Sequence, residues 1–197
     1  MPTIDELYWD SRYKQNKTGW DIGYPSEPIK CYIDQLTNKE LKILIPGCGN
    51  AYEAEYLIQK GFNNIHLVDI SDTLADKLKS NFKKEIELER IRITKSDFFE
   101  IEETYDLIFE QTFFCALEPK LRSKYAEQMH QLLRKKGKLV GLLFNITFED
   151  SGPPFGGSIN EYKSILDPYF HIKTFENCYN SIKPRASKEL FIIVEKE

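Results

Sequence analysis

The chain is 197 residues long, 41% hydrophobic and 29% charged, with a formal net charge of −4. Such a composition excludes a largely disordered chain, and one core of this size predicts a single domain over residues 1–197. The lysines and arginines are scattered, which excludes a stripe able to neutralise a run of nucleic-acid phosphates. No apolar run approaches the roughly 20 residues needed to cross a bilayer, so neither nucleic acid nor membrane is expected as a partner.

In chain order, "TIDELYWDSRYKQ" places Thr3 and Glu6 at capping-box spacing and predicts a short N-terminal helix. A second helix fits "PIKCYIDQL", with Pro28 in its first turn. Apolar runs then alternate with helical spacing: "LKILIP", "IHLVDI", "RIRIT", "YDLIFEQTF" and "KLVGLLFNI" read as strands. Between them "AYEAEYLIQK", "SDTLADKLKSNFKKEI", "LRSKYAEQMHQLLRK" and "INEYKSILDPY" read as helices. Near-continuous apolar strands separated by helices imply an α/β fold with a mostly parallel sheet covered on both faces. Two late strands, "FHIKTFE" and "ELFIIVEK", lack an intervening helix and predict an antiparallel hairpin completing seven strands. The basic run Arg134-Lys135-Lys136 falls where a helix ends and suits the negative end of its dipole. Four cysteines, Cys31, Cys48, Cys115 and Cys178, form no CxxC pair, and no apolar signal segment opens the chain. A reduced, cytoplasmic protein is expected.

In such a sheet, ligands sit beyond the carboxyl ends of the strands. Gly47 and Gly49 follow the first strand there, leaving backbone N–H groups bare toward a ligand. Asp69 ends the second strand 22 residues after Gly47, where a carboxylate can accept both hydroxyls of a ribose. A dinucleotide loop needs a third glycine where this chain has Tyr52. An adenosine cofactor without pyrophosphate is therefore favoured, and S-adenosyl-L-methionine meets that description. Ser96-Asp97-Phe98 after the third strand offers an acceptor for an adenine amine and an aromatic face for its ring. Plain strand–helix packing for the glycines, and a capping role for Asp97, stand as alternatives.

The pieces "YWDSRYKQNKTGWDIG", "ILIPGCGNAYEAEYL", "LVDIS", "SDFFEI", "FEQTFFCALEPKLRSKYAEQM", "GPPFGGSINEYKSIL" and "NSIKPRASKELFII" occur in that order along almost the whole chain. Together they resemble the thiopurine S-methyltransferase family, nearest its thiol and halide methyltransferase branch. The resemblance implies a three-layer αβα, Rossmann-like class I methyltransferase using S-adenosyl-L-methionine. Its N-terminal helical segment, residues 1–37, would cover the cofactor with Trp9, Tyr13 and Trp20. Gly47, Gly49, Asp69 and Ser71 would belong to the glycine loop and ribose acid, Asp97 and Phe98 to the adenine clamp, and Glu110 and Gln111 to a polar pair after the fourth strand. Two departures stand out: Ile45 replaces an acid frequent two positions before the first loop glycine, and Tyr13 stands where relatives often carry Trp.

Methyl transfer from a sulfonium is an in-line displacement that mainly requires alignment and desolvation. A soft anion such as thiolate, hydrosulfide or halide needs no general base. That agrees with His66, His130 and His171, which fall within predicted strands or a helix rather than at strand ends. No catalytic residue is expected, although Arg185 can contact an anionic acceptor; a solvated arginine in a turn is the alternative. Cys48 and Cys115 lack a histidine partner and are assigned no chemistry. Acceptance by oxygen or nitrogen of another small molecule, and a non-catalytic cofactor-binding partner protein, are the rival readings. Amine methylation loses its key acceptor because Gly152 precedes Pro153-Pro154-Phe155. A monomer acting on a small molecule, with no metal, is expected.

Overall fold

The computed structural model describes residues 3–149 and 151–197. Seven strands form one sheet: β1 (Ile43–Pro46), β2 (Ile65–Asp69), β3 (Ile91–Lys95), β4 (Tyr105–Gln111), β5 (Leu133–Phe144), β6 (His171–Asn177) and β7 (Glu189–Glu195). Their order is β3-β2-β1-β4-β5-β7-β6, parallel from β3 to β5, with β7 antiparallel to both β5 and β6. The helices are α1 (Glu6–Lys14), α2 (Glu27–Ile33), α3 (Tyr52–Gln59), α4 (Asp72–Asn81), α5 (Lys83–Glu87), α6 (Arg122–Leu132) and α7 (Ile159–Leu166).

Every residue of β1 and β2 is buried, as their unbroken apolar runs require for strands covered on both faces. The two-residue period divides their side chains between two cores. Ile43, Ile45 and Leu67 join Ile33 of α2, Leu57 of α3 and Leu78 of α4 on one face. Leu44 and Val68 join Met129 and Leu132 of α6 and Leu166 of α7 on the other. The strand order therefore reverses at β1, and the chain leaves β1 and β4 toward opposite faces, opening a crevice at their carboxyl ends.

Three local expectations are corrected. Helix α1 is capped by Asp5, whose carboxylate accepts from Tyr8 N at 3.0 Å, so Thr3 is not its cap. The single long helix expected over 71–86 is two, broken at Phe82, which turns its ring into the core below α4. Helix α6 ends at Leu132, and the basic run lies in the first part of β5, with Arg134 paired to Asp106 at 2.9 Å and Lys136 to Glu195 at 3.7 Å. Its charges match carboxylates on neighbouring strands rather than a helix dipole.

Gly141 brings β5 close against β4: a Cβ there would press on the carbonyl oxygen and Cβ of Glu110. Gly141→Ala is expected to destabilise the fold by about 1–3 kcal/mol, the usual cost of overpacking, read as a lower urea midpoint at constant m-value.

Candidate active site

The carboxyl ends of the parallel strands and the N-terminal segment together enclose a cavity of about 630 Å³, within the range of small-molecule sites. Strand β1 feeds a bend in which Gly47, Gly49 and Ala51 all take left-handed backbone angles, φ +55°, +52° and +57°. Gly47 lines the cavity, and a Cβ there would collide with the Phe113 ring, so its bareness serves close packing of the β4 loop as well as access. Gly49 lies outside the lining; the nearest group to a Cβ there would be the Tyr13 hydroxyl, at 3.8 Å.

Asp69 ends β2, faces the cavity and is only 9% exposed. One carboxylate oxygen accepts Ser71 N at 3.1 Å, and burial pushes the carboxyl up to about 6 against that hydrogen bond. Val68 and Ile70 flank it as apolar walls. Ser71 itself is fully buried away from the cavity: its Oγ caps α4 by accepting Leu74 N and donates to Asp10 Oδ1 at 2.7 Å.

After β3, Asp97 caps a short 3₁₀ turn over Phe98–Glu100, accepting Phe99 N at 3.0 Å, and still lines the cavity. The capping and ligand-facing alternatives for this residue are thus compatible. Phe98 lines the cavity beside it, with its ring edge-on to Phe113 at 5.1 Å.

Glu110 and Gln111 end β4 but do not line the cavity. Glu110 is completely buried and accepts Phe113 N at 2.8 Å, Phe114 N at 2.9 Å and Tyr125 Oη at 2.8 Å. Burial pushes its carboxyl up to about 7 despite these three bonds. Its structural work is to tie down the loop that presents Thr112 and Phe113 to the cavity. Gln111 Oε1 is buried with no partner among the described residues.

The covering segment contributes Trp9 and Tyr13 from α1 and Trp20 beyond it, and all three line the cavity. Trp20 meets Trp9 and Tyr13 edge-on, at 5.5 and 5.8 Å between ring centroids. Such a set of rings offers aromatic faces to a cation. The segment is tied at the glycine bend by Asp21, which accepts from Asn50 Nδ2 and from Tyr52 Oη. At the other end Arg185 donates to Trp20 O at 2.9 Å.

Arg185 lines the cavity from the turn before β7, and its charge is balanced by Glu189, which is 2% exposed and 3.5 Å away. Its guanidinium lies over the Phe144 ring at 5.6 Å. Ile146, Phe148, Pro153 and Pro154 extend this end as apolar wall. No histidine lines the cavity. His66 bonds Tyr105 Oη and Thr94 Oγ1 within the sheet, and burial pushes it down to about 4. Cys115 does line the cavity, but burial raises its thiol, which donates to Thr112 O. Among the described residues no group of three His, Cys, Asp or Glu side chains can hold a metal ion.

Asp10, Asp21 and Glu189 were not singled out in the sequence. Asp21, between Trp20 and Ile22, carried a sequence signal as a carboxylate amid apolar neighbours, whereas Asp10 and Glu189, each with a polar residue on one side, carried little.

Chemically, this cavity fits S-adenosyl-L-methionine: its lining holds a carboxylate suited to paired hydroxyls, apolar walls beside it, and an aromatic trio suited to a sulfonium.

Comparison with known proteins agrees with that fit. The family described as thiopurine S-methyltransferase matches residues 4–196. A probable thiol methyltransferase 2 from Arabidopsis thaliana is 33% identical over 162 residues, 81% of this chain and 71% of its own length. Thiocyanate methyltransferase 1 from Brassica oleracea is 30% identical over 191 residues, 95% of this chain and 84% of its own. Among solved structures, 1,6-didemethyltoxoflavin-N1-methyltransferase from Burkholderia thailandensis, with bound S-adenosylhomocysteine, superposes with a TM-score of 0.74 at 17% identity. The match covers 97% of this chain and 86% of that one. The chain belongs to the thiopurine S-methyltransferase family and is an S-adenosyl-L-methionine-dependent S-methyltransferase.

Proposed function

We propose that the acceptor is a small soft nucleophile, a thiol, hydrosulfide or halide, and that the site residues divide the work as follows. Asp69 accepts the ribose hydroxyls, while Val68, Ile70, Asp97 and Phe98 hold the adenine. The bend at Gly47 leaves room for the amino-acid tail, whereas Gln111, its Oε1 buried outside the lining, takes no direct part. Bound S-adenosyl-L-methionine supplies a methyl group on a positively charged sulfur. Trp9, Tyr13 and Trp20 cover that charge and exclude water, which sharpens every electrostatic contact inside. The segment 1–37 serves as this cover within a single domain.

One observation carries the acceptor assignment: around Arg185 the lining is apolar at Phe144, Ile146, Phe148, Pro153 and Pro154 and holds no imidazole, while Arg185 is balanced by buried Glu189 and the lining carboxylate Glu118 is paired with Lys120. A hard hydroxyl acceptor needs a base to take its proton, and none is poised there. A thiolate or halide arrives with its electron pair free, and Arg185, with Phe144 beneath it, gives such an anion a weakly polar lodging. The relatives named for thiol and thiocyanate methylation support the same reading. The large exposed apolar side chains Leu7, Tyr24, Leu88 and Tyr179 sit on separate elements, which suits a monomer. Four free cysteines suit a reducing, cytoplasmic setting.

The test is a product screen with the methyl donor and a panel of thiophenol, hydrosulfide, iodide, a phenol and a primary amine. Methylated thiol, sulfide or iodide formed in step with S-adenosylhomocysteine supports the reading; turnover confined to the phenol or the amine contradicts it. Asp69→Ala is expected to weaken S-adenosylhomocysteine binding by about 1.5–3 kcal/mol, the loss of a charged hydrogen-bonded contact, with calorimetry as the readout. Because burial holds the Asp69 carboxyl at about 6 and hydroxyl donors need the ionised form, affinity should be full above that pH. It should decline as pH falls through 6 toward 5. Calorimetric titrations across that range check the sign, and Asp69→Asn should flatten the profile.

A further inference from the structure

We propose that Asp10, on the covering helix, is a positioning residue for the cofactor site, latching α1 to the same serine that holds the ribose-binding carboxylate. The inference rests on the assignment of Asp69 and the aromatic cover made above.

Helix α1 has little of its own to hold it. Leu7 is 77% exposed, Trp9 lines the cavity, and only Tyr13, which also lines it, packs against the core. Between those two residues Asp10 turns the other way and is 6% exposed. Its Oδ1 accepts Ser71 Oγ at 2.7 Å and Thr73 N at 2.8 Å, while Lys14 Nζ approaches Oδ2 at 2.7 Å. A carboxylate thus completes the cap of α4, taking a backbone donor that the helix cannot satisfy itself and lying at the favourable end of its dipole.

The same Ser71 donates its amide to Asp69 Oδ1 and accepts Leu74 N at its hydroxyl. Asp69, Ser71 and Asp10 therefore form one continuous hydrogen-bonded run from the cavity floor to the cover. Lifting α1 off the cavity breaks the Asp10 contacts, exchanging two charge-assisted hydrogen bonds for water, each a net loss. The other polar tie of this helix, Glu6 with Lys95 at 2.8 Å, is solvent-accessible on both sides and contributes little. Closing of the cover and the set of the Asp69 carboxylate are thereby coupled through one residue, Ser71, by its amide on one side and its hydroxyl on the other.

The protein's two tryptophans, Trp9 and Trp20, both line the cavity and report its state by fluorescence. Stopped-flow release of S-adenosylhomocysteine is the measurement. Asp10→Ala should speed release and raise the dissociation constant by about tenfold or more, as expected when a charged hydrogen-bonded contact is lost. KM for S-adenosyl-L-methionine should rise with it, while kcat at saturating donor stays within about threefold if the chemistry itself is untouched. Asp10→Asn, which keeps an acceptor oxygen, should fall between. Lys14→Ala, which removes one partner of Asp10 but keeps its bonds to Ser71 and Thr73, should release ligand more slowly than Asp10→Ala. Wild-type release from Asp10→Ala overturns the latch, and so does a lower melting temperature with unchanged release and KM. If Asp10→Ala does not fold, hydrogen exchange on the unaltered protein decides. Joint slowing of the Thr73 amide and of amides 6–14 on adding S-adenosylhomocysteine supports the latch, and exchange in α1 indifferent to ligand overturns it. Normal ligand binding with a failed latch leaves the functional reading standing, whereas no binding of S-adenosylhomocysteine by the unaltered protein overturns both.

Discussion

A carboxylate at the end of a fully buried strand is costly to keep ionised, and Asp69 is placed where that cost becomes useful. The sheet reverses order at β1, so the crevice opens directly beside the last residue of β2. There Asp69 accepts from backbone amides of the chain around it, Ser71 N at 3.1 Å and those of Gly49 and Ile70, and lines the cavity. In the proposed site, ribose hydroxyls add the remaining donors to this carboxylate. The glycine bend, the caps of α4 and of the 3₁₀ turn after β3, and the loop pinned by Glu110 are all arranged around that opening.

The site has two unlike halves. The strand ends provide fixed polar groups on a rigid scaffold, which suits recognition of a constant ligand. The rest is built from the covering segment and the late loops, with aromatic and apolar side chains, the paired Arg185, and further cations at Arg12, Lys17 and Lys188. That division matches a reaction in which the donor is always the same and the acceptor brings its own electrons. On the proposed reading, catalysis comes from alignment in a dry chamber rather than from proton transfer, and the buried thiols and distant imidazoles are left without a role.

Most of the fold was legible because its strands are near-continuous apolar runs, a pattern that local sequence alone displays. The family, the sheet and the terminal hairpin follow the expectations. What escaped depended on partners distant in sequence. Arg134 and Lys136 read as helix-end charges until Asp106 and Glu195 arrive beside them on neighbouring strands. The break at Phe82 is set by a core that draws its ring inward, which spacing does not reveal. Position along the chain located Ser71, Glu110 and Gln111 near the site, yet the direction of a side chain is a tertiary matter. Ser71 and Glu110 point into protein and hold neighbours in place, whereas Asp69, Asp97 and the aromatic trio point into the cavity. Asp10 was hidden because its partners lie more than sixty residues away.

The most direct test of the central claim is a crystal structure of the complex with S-adenosylhomocysteine. The account predicts the ribose hydroxyls on the Asp69 carboxylate, the adenine against Phe98 and the sulfur beneath Trp9, Tyr13 and Trp20. Density for the ligand elsewhere, or a ribose that leaves Asp69 without a hydroxyl partner, would contradict it.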